Sequence, residues 1–193
     1  WSGAQGVTGW PTVGIPVFVR LEASPDKTSN GILLAVQDVN NRVSAAYWNG
    51  ASWSQQVLLE NSVAQGGTGE RDTQDFDVAW TSAGVKAIVA WGPSAPATSY
   101  TPYYRVWYAT STSWSAGTPE APDLDAVTAT EAPRWLRLVS DPGSQQIAMG
   151  VADADLDLPA QIWNGLTETW STRIQNVETA LNAVAYGYRP VDL

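Results

Sequence analysis

Apolar and polar residues alternate in short runs, and no useful window carries apolar residues at i, i+3, i+4 and i+7 without a Gly or Pro interruption. The pattern predicts strands and little helix. The β-rich runs are Ile32 to Val36, Val43 to Trp48, Val85 to Trp91, Tyr103 to Trp107, Ile147 to Val151 and Ala160 to Trp163. Turn residues fall between them at Pro25, Gly31, Gly84, Pro142-Gly143, Asn49-Gly50 and Asn164-Gly165. Asn-Gly reaches positive φ at low cost, which a tight hairpin demands.

The runs recur. Phe18-Val-Arg-Leu-Glu-Ala-Ser-Pro25 returns as Trp135-Leu-Arg-Leu-Val-Ser-Asp-Pro142, and Trp48-Asn49-Gly50 with Trp53 returns as Trp163-Asn164-Gly165 with Trp170. Phe76-Asp77-Val78 begins again as Val191-Asp192-Leu193. This long unit of about 116 residues divides in two, because Val19-Arg20-Leu21 corresponds to Phe76-Asp77-Val78 and Trp48 with Trp53 to Trp107 with Trp114. The basic repeat is about 58 residues with four strand signals. Within one repeat domain (1–193), residues 18–74, 75–133 and 134–190 are whole repeats. Residues 1–17 end a preceding repeat and 191–193 start a following one. A chain that opens on Trp1 is expected to be a processed product or a part of something longer.

Four-stranded antiparallel repeats with a signature Trp predict an all-β, β-propeller-like fold, with three whole blades and partial ones. A β-sandwich is the alternative; it accounts for the strands but not for the return of whole motifs. Each Trp pair flanking a turn is expected to clamp its hairpin, a contribution of roughly 0.2–1 kcal/mol. The alternative is that the indole faces stack on sugars. The opening strands carry Arg20, Asp77, Arg137 and Asp192 in alternation. These charges are expected to pair across blade boundaries near a central channel, against a bland reading of solvated, unpaired charges. Three blades alone leave edges and apolar faces open, so association with other subunits or with copies of the chain is expected.

Composition narrows the function. With 10 Lys plus Arg against 19 Asp plus Glu, the net charge of −9 argues against nucleic acid and anionic membrane as partners. No apolar run approaches the roughly 18–20 residues of a membrane span. The absence of His and Cys excludes Ser-His-Asp and Cys-His catalysis, zinc fingers, His- or Cys-ligated haem and disulfides. Eleven Trp, many Ser and Thr, and only Lys27 and Lys86 as lysines suit an exported, extracellular bacterial protein. Thr110 to Ser115 and Thr128 to Thr130 offer acceptors for O-linked sugars.

Candidate chemistry is sparse. Asp153, Asp155 and Asp157 alternate as calcium ligands would, but Leu158 and Asn164 stand where an EF-type loop wants Gly and Glu, which favours a plain acidic hairpin tip. Glycoside hydrolysis needs only two carboxylates. The candidates are Asp75 with Asp77, Asp123 with Asp125, and Glu131, recommended by availability alone. No catalytic residue and no cofactor is expected, calcium being the single candidate ion.

The unit Arg-Leu-x-x-x-Pro (Arg20 to Pro25, Arg137 to Pro142), an Ile-x-x-x-Val strand, Trp-Asn-Gly with a second Trp, and Phe-Asp-Val-Ala resembles repeats of large bacterial surface proteins. The Trp-Asn-Gly-x-x-Trp hairpin is also similar to those of sugar-binding propellers such as the fucose lectins and tachylectins. Those lectins use Arg, Glu and Trp between blades, which here implies Trp80, Arg105 and Glu131, although the three do not recur together. The expected function is a non-catalytic extracellular repeat module of a cell-surface assembly or adhesin, for instance a globular subunit of a pilus-like filament. The alternative is a carbohydrate-binding, lectin-like propeller.

Overall fold

The computed structural model describes residues 6, 7, 9, 10, 14–61, 74–92, 101–117, 121, 133, 135–152 and 158–172. These form twelve strands and no helix. The first sheet holds β1 (Pro16–Ala23), β2 (Ile32–Asp38), β3 (Val43–Trp48) and β4 (Trp53–Glu60). The second holds β5 (Phe76–Trp80), β6 (Lys86–Trp91), β7 (Tyr103–Tyr108) and β8 (Ser113–Trp114). The third holds β9 (Trp135–Ser140), β10 (Gln146–Ala152), β11 (Ala160–Asn164) and β12 (Thr169–Trp170). Every sheet is antiparallel with its strands in chain order.

The repeat is visible in the registers. Ile32, Trp48 and Trp53 line up across the first sheet, Ala87, Trp107 and Trp114 across the second, and Ile147, Trp163 and Trp170 across the third. The Trp48 and Trp53 ring centroids lie 5.5 Å apart, and those of Trp107 and Trp114 5.1 Å apart. In the third sheet Trp170 turns edge-on to Tyr104 of the second sheet, 5.4 Å away. The clamp residue there joins two sheets.

The second sheet lies between the other two, which explains the unbroken apolar run of β6. Phe76, Val78, Trp80, Val89 and Trp107 pack against Leu33, Ala35, Val43 and Tyr47 of the first sheet. Ala79, Ile88, Ala90, Tyr104 and Val106 pack against Leu136, Leu138, Ile147, Met149 and Trp163 of the third. Trp107 and Trp163 are fully buried, and each faces the sheet that precedes it in the chain. The Tyr47 ring covers Trp107 at 4.5 Å. Burying one such indole removes roughly 150–250 Å² from water, up to about 4–6 kcal/mol at 25 cal/mol per Å².

The turns depart from expectation in one place. Gly50 adopts the positive φ (96°) expected of Asn-Gly, but in the third sheet Glu168 takes it instead (58°). The second turn is two residues longer, so its closing residue lies further on. Gly165 is needed for closeness rather than for φ. A Cβ there would lie 2.7 Å from Thr81 Cγ2 and 2.8 Å from the Gln145 carbonyl oxygen.

Candidate functional site

β1, β5 and β9 open the three sheets, and they run against one another. Leu136 N–H donates to the Gln74 carbonyl, which joins β9 to the segment leading into β5. Two charged residues then meet a third. Arg20 Nε lies 3.2 Å from Asp77 Oδ1, and Arg137 Nη1 lies 3.6 Å from Asp77 Oδ2. Asp77 also accepts the backbone N–H groups of Val78 and, from the third sheet, Leu138. One carboxylate therefore ties three repeats. Burial pushes its pKa up to about 6, against the pull of the Leu138 N–H, Arg20 and the Val78 N–H. The neighbouring Asp75 is completely buried, its carboxyl oxygens have no hydrogen-bond partner among the other described residues, and desolvation drives its pKa well above the usual range against the pull of its own backbone N–H.

Three residues beyond these charges, the same strands open into a cavity of about 330 Å³ lined by Glu22, Ala23, Pro25, Trp80, Ser82, Ser140 and Pro142. The lining follows the repeat: Ala23, Trp80 and Ser140 are equivalent positions, as are Pro25, Ser82 and Pro142. Trp80 Nε1 donates to the Glu22 carbonyl at 3.0 Å, and Ser140 Oγ donates to the Trp80 carbonyl. These bonds fix the rim across all three sheets. Ser82 Oγ accepts from Gln145 Nε2 at 2.8 Å. The Glu22 carboxyl is raised by the partial loss of water around it, which Arg20 offsets in part. The cavity thus offers a carboxylate, two hydroxyls, apolar walls from Ala23 and the prolines, and an indole.

Trp80 lines this cavity but is buried, so its face is no open stacking platform. Arg105, on β7, is not part of the lining; its Nε donates to the Ser115 carbonyl, and burial lowers its pKa. Glu131 lies outside the described residues, as do Asp192, the calcium candidates Asp153, Asp155 and Asp157, and the pair Asp123 and Asp125. The lectin-type grouping of Trp80 with Arg105 is therefore not assembled at the cavity. Of the carboxylates considered for hydrolysis, Asp77 is occupied by two arginines and Asp75 is sealed in.

Two clusters escaped sequence reasoning. Glu22, Ser82 and Ser140 carried a usable signal, since they sit beside or in register with repeat positions already singled out. The second cluster carried none. Lys86 Nζ lies 2.7 Å from Glu168 Oε1 and donates to the Gly165 carbonyl, while Tyr108 Oη donates to Glu168 Oε2. Partial burial and that carboxylate push the Tyr108 phenol up to about 12.

No family model matches the chain. No curated protein is significantly similar to it in sequence. Among solved structures it is similar to a variant of AofleA from Arthrobotrys oligospora changed from Arg to Ala at three evenly spaced positions. That match has 14% identity and a TM-score of 0.50, and covers 83% of this chain and 41% of that one. It is also similar to an ulvan lyase described as a new polysaccharide lyase family, at 10% identity and a TM-score of 0.49, over 75% of this chain and 35% of that one. The same lyase bound to the saccharide GlcA(1-4)Rha3S matches at 10% identity and a TM-score of 0.49, over 80% and 38%. The chain therefore spans about two fifths or less of the proteins it matches.

Proposed function

We propose that the chain is a non-catalytic carbohydrate-binding module made of consecutive β-propeller blades, with the first strand of each blade innermost. The carrying observation is the cavity where three repeats meet. Its volume, about 330 Å³, is at the small end of ligand pockets and suits a single sugar ring. Glu22 is placed to accept hydrogen bonds from neighbouring hydroxyls, Ser82 and Ser140 to complete them, and Pro25 and Pro142 to cover the ring's C–H faces. A neutral sugar fits better than an acidic one, because the rim carries Glu22 and the chain as a whole is acidic. The outer-shell bonds from Gln145 to Ser82 and from Trp80 to the Glu22 carbonyl hold the rim before a ligand arrives, which lowers the cost of ordering it. Extracellular display fits this role.

The test is a glycan array followed by calorimetry on the best neutral glycan. Ala23→Trp fills the cavity from an exposed position and should abolish binding; Glu22→Gln should weaken it at least tenfold. Trp53→Ala, far from the cavity, should leave affinity unchanged. Unaltered affinity in both cavity variants would overturn the reading.

A second reading, a blade array that assembles with other subunits, is favoured by the exposed apolar residues Val19 and Leu21 on β1 and Ile15 just before it.

A further inference from the structure

Asn-Gly pairs occur at Asn30-Gly31, Asn49-Gly50 and Asn164-Gly165. Such a pair can react with itself: the glycine nitrogen, unshielded by a side chain of its own, attacks the asparagine side-chain carbonyl carbon, closes a cyclic imide and expels ammonia. The attack needs a glycine N–H that is not already donated elsewhere. It is helped by hydrogen bonds to the asparagine Oδ1, where negative charge develops. The three pairs share the dipeptide and differ in both respects.

At Asn49 both conditions are met. Ala51 N–H and Ser52 N–H donate to its Oδ1 at 2.9 and 2.8 Å, and its Nδ2 donates to Ser52 Oγ at 3.4 Å. The two main-chain donors fold the side chain over the Gly50 peptide and surround its carbonyl oxygen as an oxyanion hole does. Gly50 is exposed, and among the described residues its N–H meets no acceptor. At the other two pairs the nucleophile is engaged. Gly165 is buried; its N–H donates to the Gln145 carbonyl at 2.8 Å, and its own carbonyl accepts from Lys86 Nζ at 2.7 Å. Asn164 Oδ1 has a single donor, the Leu166 N–H at 2.9 Å. Gly31 is also buried, and its N–H donates to Ser29 Oγ at 3.0 Å.

We propose that Asn49 is a site of spontaneous deamidation in the folded protein, and that Asn30 and Asn164 are protected from it. Gly50 N gives its proton to hydroxide and bonds to Asn49 Cγ. The Cγ–Nδ2 bond then breaks, and the leaving nitrogen takes a proton from water and departs as ammonia, which regenerates hydroxide. Water adds to either imide carbonyl and breaks its C–N bond, leaving aspartate or isoaspartate in place of Asn49. Both products add a negative charge at the tip of the hairpin that Trp48 and Trp53 clamp. Isoaspartate also lengthens the main chain between these two indoles, whose ring centroids stand 5.5 Å apart. The inference is independent of the carbohydrate reading.

The test incubates the full chain at mildly alkaline pH, folded in buffer and, in parallel, unfolded in guanidinium chloride, and follows each asparagine by peptide mapping and mass spectrometry. In the folded chain Asn49 is expected to convert at least tenfold faster than Asn30 and Asn164, at a rate that rises with pH. In guanidinium chloride the three rates should draw together, because the contacts that separate them are gone. Equal rates at the three sites of the folded chain, an Asn49 that stays unmodified there, or a preference for Asn49 that persists undiminished on unfolding would overturn the proposal.

Discussion

Asp77→Asn isolates the charge at the point where three repeats meet while keeping the shape of the side chain. The Asp77 pKa rises from the ordinary 3.8 to about 6, a shift of about 2 units, and its side chain is 7% exposed, so solvent screening takes little from it. At 1.36 kcal/mol per unit the shift corresponds to about 3 kcal/mol. Its sign follows from linkage: a carboxyl whose pKa is raised by folding adds stability that is fully present below the unfolded value and is lost as pH climbs through the folded one. The wild type should therefore lose on the order of 3 kcal/mol between about pH 4 and pH 6.5, with Asp75 acting in the same direction. Asp77→Asn removes its share, so its curve should be flatter by that amount. Urea denaturation at half-unit pH steps, followed by tryptophan fluorescence, measures both. Wild-type stability that rises with pH over this window, or a variant curve parallel to the wild type, would refute the argument.

Trp107→Ala should cost about 3–5 kcal/mol in the same denaturation assay, because it empties a site closed by Tyr47 and Trp114. The half-exposed Trp53→Ala should cost clearly less. Gly165→Ala should destabilise by about 1–3 kcal/mol, since Thr81 Cγ2 stands in the way of the new methyl; Thr81→Ser should recover part of that loss. Glu168→Gln should lower the pKa of the Tyr108 phenol from about 12, seen as an earlier tyrosinate band in ultraviolet titration.

Much of the fold was legible because the repeat makes every strand announce itself more than once. The Trp48, Trp107 and Trp163 strands and their partners stand where alternation and the returning motifs put them. Arg20 and Asp77 could be paired on paper because they occupy the same register position in successive repeats. What could not be read was set by packing between sheets. Glu168 takes the positive φ that Asn164-Gly165 seemed to claim, because the turn is two residues longer, while Gly165 is held to a bare Cα by the nearness of Thr81 and Gln145. Trp80 was legible as a special position but not as a buried one, since its indole is turned inward by a bond to the Glu22 carbonyl. Lys86 and Tyr108 come from one repeat and Glu168 from the next, and the three share no motif. Their meeting depends on how the second and third sheets abut.

Trp107 and Trp163 each turn toward the repeat made before them, and that gives the array a direction in time. Strand pairing within a sheet is local, so a repeat can complete itself soon after it leaves the ribosome. When Trp107 emerges, Tyr47 and its neighbours are already in place to receive it, and the second sheet is then ready for Trp163. Growth thus proceeds from the N-terminal side onto finished surfaces, and a nascent chain never has to hold its largest apolar side chains open while waiting for sequence still to come.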